Sequence, residues 1–244
     1  MIITLCKNRW SLLIGVLIIQ MLLSSLVSAQ GGLTNDWARA IKANDIEFLR
    51  SILLHKGAEN RATAEGKTIL MAAAAAGDAR LVRQLLQFGA NVNQSNHRGG
   101  SALMYAAARG NYNVVTMLAD AGAEINQRAD NGWTAIQLAA AKGYGAIVRQ
   151  LLDFQADVNA QDIFGYSALM RAVVNGKLES IAVLLSTDAI DLSINNSRGE
   201  TVIQLALMSD DCVVTRMLWG VAQNSQELLH WAQLRRSVQS DCPF

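Results

Sequence analysis

Apolar residues recur through the middle of this chain at the spacing of short helices. An alanine-rich run, Ala135 to Ala141, is followed after a glycine by a second apolar run, Ala146 to Phe154. The large apolar side chains of the second run fall at i, i+1, i+4 and i+5: Ile147, Val148, Leu151 and Leu152. This spacing places them on one face of a helix. The pattern therefore predicts a pair of short helices.

Both ends of the first helix carry residues suited to their positions. Thr134 precedes the alanine-rich run, and its hydroxyl group can cap the first turn. Gly143 follows the run, and glycine readily adopts the left-handed conformation that ends many helices. The local sequence thus supports the same helix pair as the apolar pattern.

The helix pair recurs along the chain at a constant interval, which is lengthened by a single residue before the last unit. Three sets of residues share this register: Gly66, Gly99, Gly132, Gly165 and Gly199; Gly77, Gly110, Gly143 and Gly176; and Leu85, Leu118, Leu151, Leu184 and Leu218. A pair of short helices cannot bury its own apolar face, so such units stack on one another. We expect an all-α solenoid of about five to six units over residues 30–222.

The units resemble ankyrin repeats over roughly residues 34–222. In one unit, residues 103–107 read Leu-Met-Tyr-Ala-Ala, Gly110 follows, residues 114–118 read Val-Val-Thr-Met-Leu, and residues 122–126 read Gly-Ala-Glu-Ile-Asn. The resemblance implies β-hairpin loops between the helix pairs. It also implies a concave face, made by the hairpin tips and the first helices, that binds another protein.

Two departures from the family pattern change what we expect of the fold. The family's histidine is replaced in successive units by Met71, Met104, Gln137, Met170 and Gln204, which should remove a hydrogen-bond network. The fourth unit carries one extra residue near positions 188–191, which should distort its hairpin.

Residues 1–29 have the composition of a signal peptide. Lys7 and Arg9 precede an uncharged apolar stretch, Trp10 to Val27, that ends in small residues. This arrangement favours cleavage after Ala29, and the alternative is an uncleaved N-terminal anchor. In both cases the basic residues stay in the cytoplasm, so we expect a bacterial protein whose repeats are periplasmic or secreted.

Charge and histidine content exclude several classes of function. Cleavage after Ala29 would leave 19 of the 21 Lys and Arg side chains against 20 Asp and Glu, which does not suit a nucleic-acid partner. The three histidines form no recognisable catalytic set, and no phosphate-binding glycine loop is present in the sequence. We expect no catalytic residues, no metal or other cofactor, no membrane contact after cleavage, and a monomer.

Two cysteines, Cys212 and Cys242, would remain after cleavage, and an even number suits a disulfide in an oxidising compartment. Between them, residues 224–240 have one apolar helical face, which predicts a C-terminal cap helix within residues 223–244. A bridge between the two cysteines would close a loop of about 30 residues and stabilise the fold by ~3–4 kcal/mol. Two free thiols are the alternative, and a zinc site that includes His230 lacks an evident fourth ligand.

The concave face supplies the candidate partner-binding residues, because arginine and aromatic side chains contribute most to binding energy at interfaces. These residues are Arg98, Arg109, Arg128, Trp133, Lys142, Phe164, Tyr166 and Arg198. The alternative for Trp133 and Tyr166 is that they fold over the adjacent hairpin and only pack. We expect Asn93 and Asn126 to satisfy backbone groups in the turns.

Taken with the resemblance, these observations favour non-enzymatic protein binding outside the cytoplasm. Recognition would be stoichiometric and would use a rigid surface. The alternatives are an immunity or inhibitor protein that blocks a toxin or enzyme, and a secreted effector.

Overall fold

The chain folds into a stack of helix pairs. The computed structural model describes residues 36, 38–41, 43, 45–52, 59–209 and 211–222. Helix α1 (Ile46–Ile52) comes before five pairs within this range: α2 (Ile69–Ala76) and α3 (Ala79–Gln87); α4 (Ala102–Arg109) and α5 (Tyr112–Asp120); α6 (Ala135–Lys142) and α7 (Gly145–Asp153); α8 (Ala168–Val174) and α9 (Leu178–Leu185); and α10 (Val202–Met208) and α11 (Cys212–Ala222). The expected all-α solenoid is confirmed. The predicted signal peptide and the predicted cap helix lie outside the described residues.

The ends of α6 show why the sequence forms helices at these places. Thr134 is the N-cap in extended conformation, and its N–H donates to Oε1 of Gln137 at 2.9 Å. Gly143 ends the helix with φ 91°, in the left-handed region that glycine tolerates best. At α2 the hydroxyl group caps in the expected way, since Thr68 Oγ1 accepts from the N–H of Met71 at 3.1 Å. Thr134 and Gly143 therefore lie at the predicted ends of α6, but the hydroxyl group of Thr134 donates to Oε1 of Gln137 at 3.3 Å instead of accepting from the first turn.

The core runs along the whole stack and is formed by two layers of helices. The first helix of each pair contributes small buried residues, among them Ala72, Ala73, Ala106, Ala139 and Ala172, so that neighbouring first helices can approach closely. The second helix of each pair contributes one fully buried leucine per unit: Leu85, Leu118, Leu151, Leu184 and Leu218. Each period of the sequence thus adds one buried leucine and one group of small buried residues to the core.

Adjacent units are joined through the tips of their turns. The N–H groups of His97, Asp130, Ile163 and Ser197 donate to backbone carbonyl groups of the preceding unit at 2.9 to 3.1 Å. At Gly132, with φ 78°, an added Cβ would lie 2.8 Å from the backbone nitrogen of Ile163. Because a side chain there would collide with the next turn, Gly66, Gly99, Gly132 and Gly165 reflect this close approach. At Gly199 an added Cβ meets no atom of the described residues within 4 Å. The turns form isolated antiparallel bridges, Ala62 with Thr68 and Asn195 with Thr201, and no strand occurs among the described residues.

Successive units are also joined by a set of asparagines, which lie away from the turn tips in the loops between units. Asn126 is typical, because its Nδ2 donates to the carbonyl of Gln155 at 3.1 Å and its Oδ1 accepts from the N–H of Asp157 at 2.8 Å. Equivalent pairs of bonds are made by Asn60, Asn93 and Asn159. The structural role expected for Asn93 and Asn126 is confirmed.

The extra residue of the fourth unit does not break this set of contacts. Asn159 still donates to the carbonyl of Ala189 at 2.7 Å and accepts from the N–H of Asp191 at 3.0 Å. Counted from the asparagine, both bonded residues lie one position further along the chain than in the other units. The extra residue is therefore accommodated before Ala189. The expected distortion therefore leaves the contact between the third and fourth units in place.

The expected loss of the histidine network is wrong at Gln137. This side chain is fully buried, and its Oε1 accepts from the N–H of Thr134. Its Nε2 donates to the carbonyl groups of Ala160 at 3.0 Å and Tyr166 at 2.8 Å. A glutamine amide carries both a donor and an acceptor, so Gln137 joins its own helix to the next unit. The absence of the imidazole alone therefore does not decide whether hydrogen bonds at this position are lost.

Candidate functional site

One face of the stack is formed by the turns and the first helices, and two rows of side chains, each with one member in every unit, lie on it. We call it the inner face. The hairpin row contains Lys67, Gly100, Trp133, Tyr166 and Glu200. The helix row lies on the first helices and contains Ala72, Tyr105, Leu138, Arg171 and Leu205. Because neighbouring first helices are in contact, each row brings together residues that are far apart in the chain.

The middle of the inner face holds an arginine between two aromatic rings. Cζ of Arg171 lies 4.7 Å from the ring centroid of Trp133 and 4.3 Å from that of Tyr166. Nε of Arg171 also donates to Oδ2 of Asp162 at 2.8 Å. Asp162 is buried, and its Oδ1 accepts from the N–H groups of Phe164 at 2.9 Å and Tyr166 at 3.0 Å. The cluster fixes both aromatic side chains.

Two of the predicted partner-binding residues are thus engaged within the chain. Trp133 and Tyr166 are half-buried, and both rings lie against the guanidinium group of Arg171 on α8. Phe164 behaves differently, since 54% of it is exposed. Arg171 was missed from sequence, although it replaces the tyrosine and the leucine found at the same position of the two preceding units. A charged residue in an otherwise apolar row was the available signal.

A second aromatic residue, Tyr105, is held by polar neighbours. Its hydroxyl group accepts from Nδ2 of Asn96 at 3.0 Å, and Nζ of Lys67 lies 5.6 Å from its ring centroid. Nζ of Lys67 also donates to the carbonyl of Ile41 at 3.3 Å. Burial lowers the pKa of Lys67, and the positive charge of Arg109 lowers it further. Positive charge from Lys67 and Arg109 is therefore present beside Tyr105, toward the N-terminal end of the stack.

Between Tyr105 and Trp133 the inner face opens into a groove of about 560 Å³. Its apolar lining includes Met104, Tyr105, Ala108, Trp133 and Leu138, and its polar lining includes Asn96, Arg98, Asp130 and Asn131. The groove occurs at Gly100, the one position of the hairpin row without a side chain. This site was not predicted from the sequence, although the glycine between Lys67 and Trp133 in the row is evident there.

The predicted basic residues divide into two groups. Arg98, Arg109, Lys142 and Arg198 are exposed, and their side chains make no ion pair or hydrogen bond with any other described residue. Arg128 instead donates to the carbonyl of Gln161 in the next unit. The first group is available to a partner, whereas Arg128 takes part in joining two units.

Among the described residues, no group of three or more His, Cys, Asp or Glu side chains is placed to hold a metal ion. No helix in the described ranges is long and apolar enough to cross a membrane. Cys212 is the first residue of α11 and is half-buried. Cys242 lies outside the described residues, so their pairing stays a prediction.

Comparison with known proteins identifies the repeat. A family model described as ankyrin repeats (three copies) matches residues 37–129 and 122–196, which together span well over half of the chain. No curated protein matches the sequence. The matched segments contain most of the helix pairs described above, together with the turns and the asparagine contacts that join them. The chain therefore belongs to the ankyrin-repeat family.

Proposed function

We propose that this protein is a non-enzymatic interaction module whose inner face binds another protein. Ankyrin repeats generally serve protein–protein interaction. The observation that carries the proposal here is the combination of a rigid inner face with exposed cationic side chains that have no partner among the described residues. Arg98 lines the groove, and Arg109 and Lys142 are the last residues of α4 and α6, the helices that carry Tyr105 and Leu138 of its lining.

The rigidity of the face supports stoichiometric recognition. Backbone bonds between turn tips, asparagine bonds at the other end of the units, and the cluster around Arg171 all hold its side chains in place. A preorganised surface loses little conformational entropy on binding. The face can therefore bind with few conformational changes in the repeat stack.

We further propose that binding takes place outside the cytoplasm. The support is the sequence of residues 1–29, with its basic start, apolar stretch and small residues before the cleavage position. The same proposal includes a disulfide between Cys212 and Cys242, because an exported protein folds in an oxidising compartment.

The proposal is tested by affinity capture from envelope extract with the exported protein as bait. The test variant combines Arg98→Glu, Arg109→Glu and Phe164→Ala on the inner face. A matched control combines Arg83→Glu and Arg149→Glu, which are exposed on the second helices α3 and α7. We expect one stoichiometric protein to be captured by the wild type and the control but lost by the test variant. Equal capture by all three proteins would refute binding through the inner face.

The activity of the captured protein also distinguishes an inhibitor or immunity protein from an accessory protein. If the captured protein is an enzyme or toxin whose activity disappears at a one-to-one ratio, the protein is an inhibitor or immunity protein. If its activity is unchanged, the protein acts as an accessory or scaffold.

A further inference from the structure

We infer that the groove beside Gly100 recognises an apolar side chain carried by an acidic, extended segment of a partner protein. This inference rests on the proposed function and adds the chemistry of the partner. It concerns the part of the inner face bounded by Tyr105 and Trp133.

The groove exists because one side chain is missing from a regular row. Every other member of the hairpin row, Lys67, Trp133, Tyr166 and Glu200, fills its place on the face. At Gly100 the space stays open above Met104, Ala108 and Leu138. A volume of about 560 Å³ is ample for one large side chain. Aromatic walls favour an aromatic or long aliphatic occupant, since offset or edge-to-face ring contacts add to the gain from burial.

Trp133 and Tyr105, the two aromatic walls of the groove, are each held in place by contacts within the chain, so the groove stays open. Trp133 is packed against Arg171, which Asp162 fixes from below. Tyr105 is anchored through its hydroxyl group by Asn96. Arg171 does not line the groove, so the Trp133 surface that faces the groove stays available. The opening is therefore a preformed feature of the face.

The charges around the groove select an anionic segment. Arg98 lines it, and Arg109 lies one helical turn beyond Tyr105 on α4. Lys142 occupies the position of Arg109 in the next unit. Within the lining Arg98 is matched by one carboxylate, Asp130. The excess of positive charge comes from beyond the lining, from Lys67 beside the ring of Tyr105 and from Arg109 and Lys142 at the ends of α4 and α6. Arginine side chains bind carboxylates with two parallel hydrogen bonds, and the same cations repel a basic segment.

The inference is tested with a displayed library of random peptides selected against the exported wild-type protein. Selected peptides are resynthesised and their Kd values measured for wild type, Gly100→Tyr and Gly100→Ala. The tyrosine fills the groove without removing any lining residue, and neighbouring units carry large side chains at the same position. The alanine is the matched control, because the three atoms nearest its Cβ all belong to the side chain of Asn96, at 3.0 to 3.4 Å. It therefore crowds Asn96 as the tyrosine does but does not fill the groove. Thermal unfolding verifies that both variants fold.

We expect enrichment of peptides with an aromatic or large aliphatic residue next to Asp or Glu. Their Kd should rise at least about tenfold for Gly100→Tyr, the loss that corresponds to burial of one side chain, and should be little changed for Gly100→Ala. Reversing charge with Arg98→Glu plus Arg109→Glu should weaken the same peptides. Enrichment of basic or uncharged peptides, binding that Gly100→Tyr does not weaken, or no enrichment at all would overturn the inference.

The two proposals can fail separately. If the natural partner is lost by the triple inner-face variant but retained by Gly100→Tyr, the inner face binds and the groove does not. If no inner-face variant affects the partner, the proposed function itself is wrong.

Discussion

Replacement of Gln137 by methionine tests whether a buried glutamine joins two repeats. Methionine has similar length and is the residue found at the same position in three other units. The change removes both bonds from Nε2 and the acceptor for the N–H of Thr134. The carbonyl of Tyr166 keeps a second donor, the N–H of Asp162 at 3.0 Å, whereas the buried Ala160 carbonyl loses this amide.

The expected cost follows from these contacts. A typical hydrogen bond makes a net contribution of about 1 kcal/mol to the free energy of unfolding, and a buried carbonyl left without a donor lowers it by about 1–3 kcal/mol. The thioether of the new methionine can offset part of this loss, since Sδ of Met71 already accepts from the N–H of Thr68 at 3.4 Å. We expect Gln137→Met to lower the free energy of unfolding by about 2–3 kcal/mol. For a chain of this size that is a fall in Tm of roughly 4–12 °C.

The assay is thermal and urea unfolding followed by far-UV circular dichroism. The matched control is Gln204→Met in the last described pair, where the glutamine is only half-buried and its Oε1 accepts from the N–H of Thr201 at 2.7 Å. This variant should lose no more than about 1 kcal/mol. If Gln137→Met costs the same as the control, or less, the side chain does not join the repeats as argued.

Further predictions concern the core, the asparagine contacts, the cysteines and one lysine. Leu151→Ala should lower the free energy of unfolding by about 2–5 kcal/mol in chemical denaturation, because Leu151 is fully buried and the change leaves a cavity. Asn126→Ala should cost about 1–2 kcal/mol in the same assay, since two hydrogen bonds between units are lost at a partly solvated place. If the chain is exported as proposed, alkylation of the unfolded protein without reductant should label neither Cys212 nor Cys242 in mass spectrometry, and labelling of both would exclude the disulfide. The pKa of Lys67 is lowered by burial below its ordinary value of 10.5, so the unfolded chain binds more protons between the two values. Stability should therefore rise with pH through that window, and the rise should be absent in Lys67→Met.

The candidate site was only partly accessible from sequence. The row positions and the exposed basic residues follow from the period, which is why Arg98 and Arg109 could be named. The roles of Arg128 and Arg171 could not, because each depends on which neighbour the side chain reaches. Arg128 bonds to a carbonyl of the next unit, and Arg171 lies between a tryptophan of the preceding unit and a tyrosine of its own unit.

The sequence by itself determined the repeating unit, the caps and the core layer. Helix spacing, left-handed glycines and one buried leucine per period are local properties, and repetition makes each of them evident several times. Only the tertiary structure decided which side chains of the inner face make contacts within the chain and which are available to a partner. Stacking brings residues one period apart into contact, and side-chain geometry then chooses among several polar partners. For that reason the groove at Gly100 and the cluster around Arg171 became evident only once the units were placed side by side.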